Sequence, residues 1–124
     1  MTKKIVFALM FVCCMAFAGV SLAADAAEIK ELEIKANQGD AESQFMLGYL
    51  YDTGDGVKQD YTKARQWYEK AAAQEYVNAQ GMLGVMYELG VGVERNITTA
   101  KEWFKRACDN GDQRGCDAYS RLNK

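Results

Sequence analysis

Residues 41–76, AESQFMLGYLYDTGDGVKQDYTKARQWYEKAAAQEY, and residues 77–112, VNAQGMLGVMYELGVGVERNITTAKEWFKRACDNGD, are two copies of one unit. A shift of 36 residues superposes them without a gap and gives 12 identities. Gln44 falls on Gln80, Met46 on Met82, Leu47 on Leu83, Gly48 on Gly84 and Tyr51 on Tyr87. Gly54, Gly56 and Val57 fall on Gly90, Gly92 and Val93, and Thr62, Ala64, Trp67 and Ala71 on Thr98, Ala100, Trp103 and Ala107. Unrelated sequence would share about two or three positions by composition, so the repeat is real.

The period inside each unit is helical. Gln44, Leu47, Gly48 and Tyr51 stand at i, i+3, i+4 and i+7, one stripe of a first helix. Ala64, Trp67, Tyr68 and Ala71 repeat that spacing on a second helix. Gly54 and Gly56 end the first helix, because glycine readily takes the left-handed cap conformation. Asp60 and its counterpart Asn96 sit where a side-chain oxygen caps the second helix. Gly48 and Gly84 lie mid-helix, where glycine costs about 1 kcal/mol relative to alanine. Their recurrence predicts a close helix approach, with a tryptophan of the paired helix above each glycine.

The flanks are partial units. Residues 24–40 read as an N-terminal capping helix with Ile29, Leu32 and Ala36 facing inward. Residues 113–124 read as a lone first helix of a third unit. Such ends are expected, because each repeat buries its apolar face only by stacking on a neighbour. The fold class is therefore all-α: an α/α solenoid of two full hairpins, 41–76 and 77–112, with a capping helix at each end. About six helices in a short right-handed stack are expected.

Residues 1–23 differ from the rest. Lys3 and Lys4 precede an apolar run from Ile5 to Val20, and Ser21 and Ala23 form a small-residue exit. That order is the pattern of a secretory signal peptide cut after Ala23. The alternative is an uncleaved anchor, since Ile5 to Ala24 could just span a bilayer. Cleavage removes two lysines and no acid from 15 basic and 17 acidic residues, leaving 13 − 17 = −4. No basic block remains, so a nucleic-acid partner is not expected. The mature chain keeps Cys108 and Cys116, and two cysteines in an oxidising compartment point to one disulfide. The expected location is periplasmic or secreted, with no stable membrane insertion after cleavage.

The pattern Leu47-Gly48…Tyr51…Gly54…Gly56-Val57…Asp60…Lys63-Ala64…Trp67-Tyr68…Lys70-Ala71-Ala72 resembles the Sel1-like repeat. The second copy repeats it as Leu83-Gly84…Tyr87…Gly90…Gly92-Val93…Asn96…Ala100…Trp103-Phe104…Arg106-Ala107. The longer glycine loop and the 36-residue period separate it from tetratricopeptide repeats of similar fold. The resemblance implies an adaptor or binding scaffold for another protein or extended peptide, in one version an immunity-type or envelope-stress partner. It fixes the fold better than the partner. The cysteine spacing also resembles a cysteine-rich branch of that family, which implies penicillin binding or β-lactamase-like activity. That branch carries a cysteine pair in each repeat, whereas here only the last junction does. No S-x-x-K occurs, so a serine acylation mechanism lacks its nucleophile and base. The expectation is no enzyme, and turnover of nitrocefin separates the two readings.

Cys108 and Cys116 take the places of Ala72 and Gln80 one repeat on. With no histidine and no further mature cysteine a zinc site lacks ligands, so the pair reads as a staple on the last helix. Trp67 and Trp103 read as core, and Asn96-Ile97-Thr98, although a glycosylation sequon, reads as a helix cap. No catalytic constellation, cofactor or metal site is expected, and the chain is expected to be a monomer. The copies differ along one ridge of the first helix: Phe45 faces Gly81, Tyr49 faces Val85 and Thr53 faces Leu89. Phe45 and Tyr49, beside Gln44, are the candidate partner-binding residues, because exposed aromatics mark interaction sites. The other reading packs Phe45 and Tyr49 on the N-terminal capping helix.

Overall fold

The structure is a computed structural model and describes residues 25–124; residues 1–24, with the expected signal peptide, lie outside the described residues. Six helices follow one another with no strand among the described residues: α1 Ala26–Asn37, α2 Ala41–Thr53, α3 Tyr61–Ala73, α4 Val77–Leu89, α5 Ile97–Asp109 and α6 Gln113–Leu122. Each packs chiefly on the helix before and the helix after it, which is the contact pattern of a solenoid. The hairpins α2–α3 and α4–α5 are the two copies of the repeat. No described helix is long and apolar enough to cross a membrane.

The ends of the helices follow the residues expected to set them. Asp60 Oδ1 accepts from Lys63 N at 3.1 Å, and Asn96 Oδ1 accepts from Thr99 N at 3.1 Å. Each bond satisfies one of the N–H groups that a helix start leaves unpaired. Gly54 and Gly90 close the first helices at φ 74° and 71°, a region where a side chain would be strained. The N-cap of α4 is the exception. Tyr76 stands there with no side-chain cap bond, whereas Asp40 and Asp112 cap α2 and α6 at the corresponding positions.

The mid-helix glycines do mark close approach, but under different rings from those expected. A Cβ on Gly48 would lie 2.6 Å from Cδ1 and Cε1 of Tyr68, and one on Gly84 would lie 2.6 Å from the same atoms of Phe104. Tyr68 is fully buried, and its hydroxyl donates to Asp52 Oδ2 at 3.1 Å. Burial, with Asp52 beside it, pushes the Tyr68 phenol well above its ordinary pKa. Trp67 and Trp103, one position earlier, are turned to the flank of the stack and half-buried. Lys70 Nζ lies 4.4 Å from the Trp67 ring centre and the Arg106 guanidinium 5.5 Å from that of Trp103. Their inner faces still pack on the two apolar clusters of the core.

Three ties eight residues apart join successive units. Gln44 Nε2 donates to Ala36 O at 3.0 Å, and Gln80 Nε2 donates to Ala72 O at 3.3 Å. At the third junction the same two positions are Cys108 and Cys116, and they form a disulfide with Cα atoms 4.5 Å apart. The disulfide is thus the covalent counterpart of a hydrogen bond that the earlier junctions make with glutamine. Gln74 and Asn110 complete the polar ties by donating to the Oε1 atoms of Gln44 and Gln80, at 2.9 and 3.0 Å.

Candidate interaction surface

Of the three candidate partner-binding residues, Gln44 lies in the interior. It is 5 % exposed and spent on the tie to Ala36 and Gln74, so its side chain is part of the interior. Phe45 is half-buried and packs on the apolar cluster around Tyr68 rather than on the one that holds Ile29 and Ala36 of α1. Its ring lies 5.6 Å from that of Tyr68 in α3 and 5.1 Å from that of Tyr76 at the start of α4. Tyr49 is open, at 48 % exposure.

The exposed face of the first helices continues from Tyr49 onto α4. Val85, one repeat on, is 39 % exposed and Leu89, one turn further, is 65 % exposed. An arrangement of one aromatic and two aliphatic side chains on one face is an apolar patch of the kind that marks contact sites. Beside it lies a cavity of about 490 Å³ bounded by α2, α4, α5 and α6. Phe45 forms one wall, Met82 and Val85 of α4 another, Gly81 leaves its part of α4 without a side chain, and Gly115 and Ala118 line the α6 side.

The charges at the rim are paired. Arg121 of α6 donates two bonds to the Glu88 carboxylate of α4, at 2.6 and 3.0 Å. These bonds hold the Glu88 carboxyl below the usual carboxylate range and raise the Arg121 guanidinium further. Arg114 lies 3.2 Å from Asp112 Oδ1, which also caps its backbone N–H at 3.0 Å. Among the described residues no group of three His, Cys, Asp or Glu side chains is arranged to hold a metal ion.

A residue that the sequence reading passed over organises the junction behind this face. Glu75 is the one described non-glycine residue with positive φ, at 63°, and it occupies the place of Gly39 and Gly111. A left-handed conformation costs an L-residue about 1–2 kcal/mol. Its carboxylate receives Asn110 Nδ2 at 2.7 Å, Gln80 Nε2 at 2.8 Å and Arg106 at 2.6 Å. Those donors lower its pKa to about 2. The only sequence signal was its register with Gly111.

Stacked helical hairpins closed by glycine loops define an α/α repeat protein. The model of the Sel1 repeat matches residues 41–76 and 77–112, and the chain belongs to the Sel1-repeat family. Over 40 residues it is 48 % identical to the chitin synthase regulator SKT5 of Saccharomyces cerevisiae, covering 32 % of this chain and 6 % of that protein. It is similar to c5321, a protective antigen present in uropathogenic Escherichia coli strains displaying an SLR fold, at 42 % identity and a TM-score of 0.71. That match covers 73 % of this chain and 20 % of the antigen. Helicobacter pylori cysteine rich protein B matches at 27 % identity and a TM-score of 0.73, over 84 % of this chain and 78 % of that one. The chain thus spans a small part of the yeast regulator and a fifth of the Escherichia coli antigen.

Proposed function

We propose that this chain is an exported interaction module that holds another protein, or an extended stretch of one, on the face carrying Tyr49, Val85 and Leu89. The observation that carries the reading is that face itself: large apolar side chains stay open to solvent on consecutive first helices, next to a cavity walled by Phe45. Isolated exposed apolar residues need no explanation, but a set at equivalent positions of successive repeats, with one member lining a cavity, does. Tyr49 and Phe45 are the residues assigned to the contact, and Gln44 supports them from within by fixing α2 on α1. The two Sel1 repeats support a binding role, and the yeast relative is named as a regulator of another protein.

Export rests on the Lys3-Lys4, apolar run and Ser21-Leu22-Ala23 order, together with the Cys108–Cys116 disulfide. Disulfides persist in oxidising compartments and are rare where thiols are kept reduced. The test is affinity capture from envelope extract with the wild-type chain, Tyr49→Ser, Leu89→Ser and Gln66→Ala on an exposed face of α3. A partner retained by wild type and Gln66→Ala, and lost by the two face variants, is the expected result. A partner retained equally by all four chains would place the contact elsewhere.

A further inference from the structure

The cavity between α4 and α6 has an internal reference, because the preceding junction is built from the same backbone. Shifting back by 36 residues, Gly81 becomes Phe45, Asp112 becomes Tyr76 and Ala118 becomes Met82. In the preceding junction the rings of Phe45 and Tyr76 fill that space, 5.1 Å apart and over the Tyr68 ring. At the next junction Phe104 replaces Tyr68 as the floor, both upper rings are gone, and a cavity of about 490 Å³ remains. Three large side chains have given way to small ones at one place.

The fold accounts for only part of this exchange. Asp112 caps α6, which explains why a tyrosine is absent there. Nothing comparable explains Gly81. It lies within α4, where glycine costs about 1 kcal/mol against alanine. A Cβ built on it would meet only Asp112 Oδ2, at 3.4 Å, whereas the one on Gly84 would strike a ring. Packing demands glycine at Gly84 and not at Gly81. A residue without a side chain does let a ligand approach the backbone closely.

We propose that this cavity is an anchor pocket for one neutral aromatic side chain of the partner, a tryptophan or tyrosine seated where Phe45 and Tyr76 sit in the preceding junction. The proposal rests on the interaction-module reading and names what that face holds. Phe45 and Phe104 both line the cavity, so an aromatic side chain seated there has rings to pack against. The charge of the lining selects against an ion: Arg121 and Arg114 are paired with Glu88 and Asp112, so the four charges cancel. Asp112 Oδ1 takes both bonds from Arg114, which leaves Oδ2 turned toward Gly81 as an acceptor for an indole N–H or phenol O–H.

The test is a titration of the full-length ¹⁵N-labelled chain with N-acetyl-tryptophanamide and N-acetyl-tyrosinamide, followed by amide shifts. Saturable shifts centred on Gly81, Val85, Gly115 and Ala118 are expected, with a dissociation constant on the order of 1 mM for so small a probe. Gly81→Phe, which restores the ring of the preceding junction, should abolish the shifts, and the milder Ala118→Met should weaken binding about tenfold. N-acetyl-leucinamide and the anion indole-3-propionate should each bind several-fold more weakly than the tryptophan probe. No saturable shift, equal binding of the leucine or anionic probe, or unchanged binding in both variants would overturn the proposal. A captured partner that is lost by Tyr49→Ser but kept by Gly81→Phe overturns the pocket and leaves the interaction-module reading standing.

Discussion

Replacing Gly84 by alanine puts a methyl carbon 2.6 Å from Cδ1 and Cε1 of Phe104 and 2.9 Å from its Cγ. That ring is 4 % exposed, so it cannot swing into solvent and must shift within the core. Overpacking of this kind costs about 1–3 kcal/mol. Alanine also recovers about 1 kcal/mol of helix propensity, so the net loss is smaller than the contact alone. Gly81 of the same helix supplies the control. Its new methyl would meet only Asp112 Oδ2 at 3.4 Å, so Gly81→Ala keeps the propensity gain with little opposing it. The difference between the variants isolates the ring contact at about 2 kcal/mol. On a domain of this size that is roughly 8–16 °C in melting temperature. Thermal and urea denaturation followed by circular dichroism measure it. Gly81→Ala should melt above wild type and Gly84→Ala below it. Equal midpoints for the two variants would show that glycine at position 84 is not held by the ring.

Reducing the Cys108–Cys116 bond, or replacing both residues by alanine, should lower stability by about 2.5 kcal/mol for a loop of about eight residues on the chain-entropy account. Amide exchange should show the loss concentrated in α6, with α2–α3 protected as before. Glu75 is held near pKa 2 against an ordinary value of 4.5, so its contribution is complete above about pH 4.5 and is lost as pH falls toward 2. The melting-temperature difference between wild type and Glu75→Gln should therefore shrink over that interval, and a constant difference would remove the carboxylate network from the account. Phe45→Ala should cost about 2 kcal/mol, less than a fully buried phenylalanine because one side of the ring already faces the cavity. Intact mass of the exported protein should begin at Ala24; retention of Met1 on a membrane-bound form would replace the signal peptide with an anchor.

Much of this fold was legible because each repeat carries its own punctuation. The pairs Gly54/Gly90 and Asp60/Asn96 mark helix ends by local backbone chemistry, and local chemistry is what one sequence displays. The residue above each mid-helix glycine was not legible in the same way. Tryptophan is identical in both copies at 67 and 103, while the ring that covers the glycine is tyrosine at 68 and phenylalanine at 104. Identity pointed to the wrong neighbour, since either ring satisfies the same space. Gln44 was misread as surface for a related reason. Its repetition as Gln80 and its alignment with Cys116 were visible, but the bond to a carbonyl eight residues back requires the helix crossing. The ridge was half legible: Tyr49 is open, whereas the unequal size of Phe45 and Gly81 marked a filled space and its empty counterpart.

Binding by this face separates from folding through Tyr49, which is 48 % exposed. An exposed substitution typically changes stability by less than about 0.5 kcal/mol. The decisive measurement is the affinity of the captured partner for wild type and Tyr49→Ala, with the urea midpoint of each chain recorded in parallel. An unchanged midpoint with affinity reduced about tenfold, the loss of about 1.4 kcal/mol at the interface, is the predicted result. Unchanged affinity, or a loss of affinity matched by a collapse of the midpoint, would contradict it.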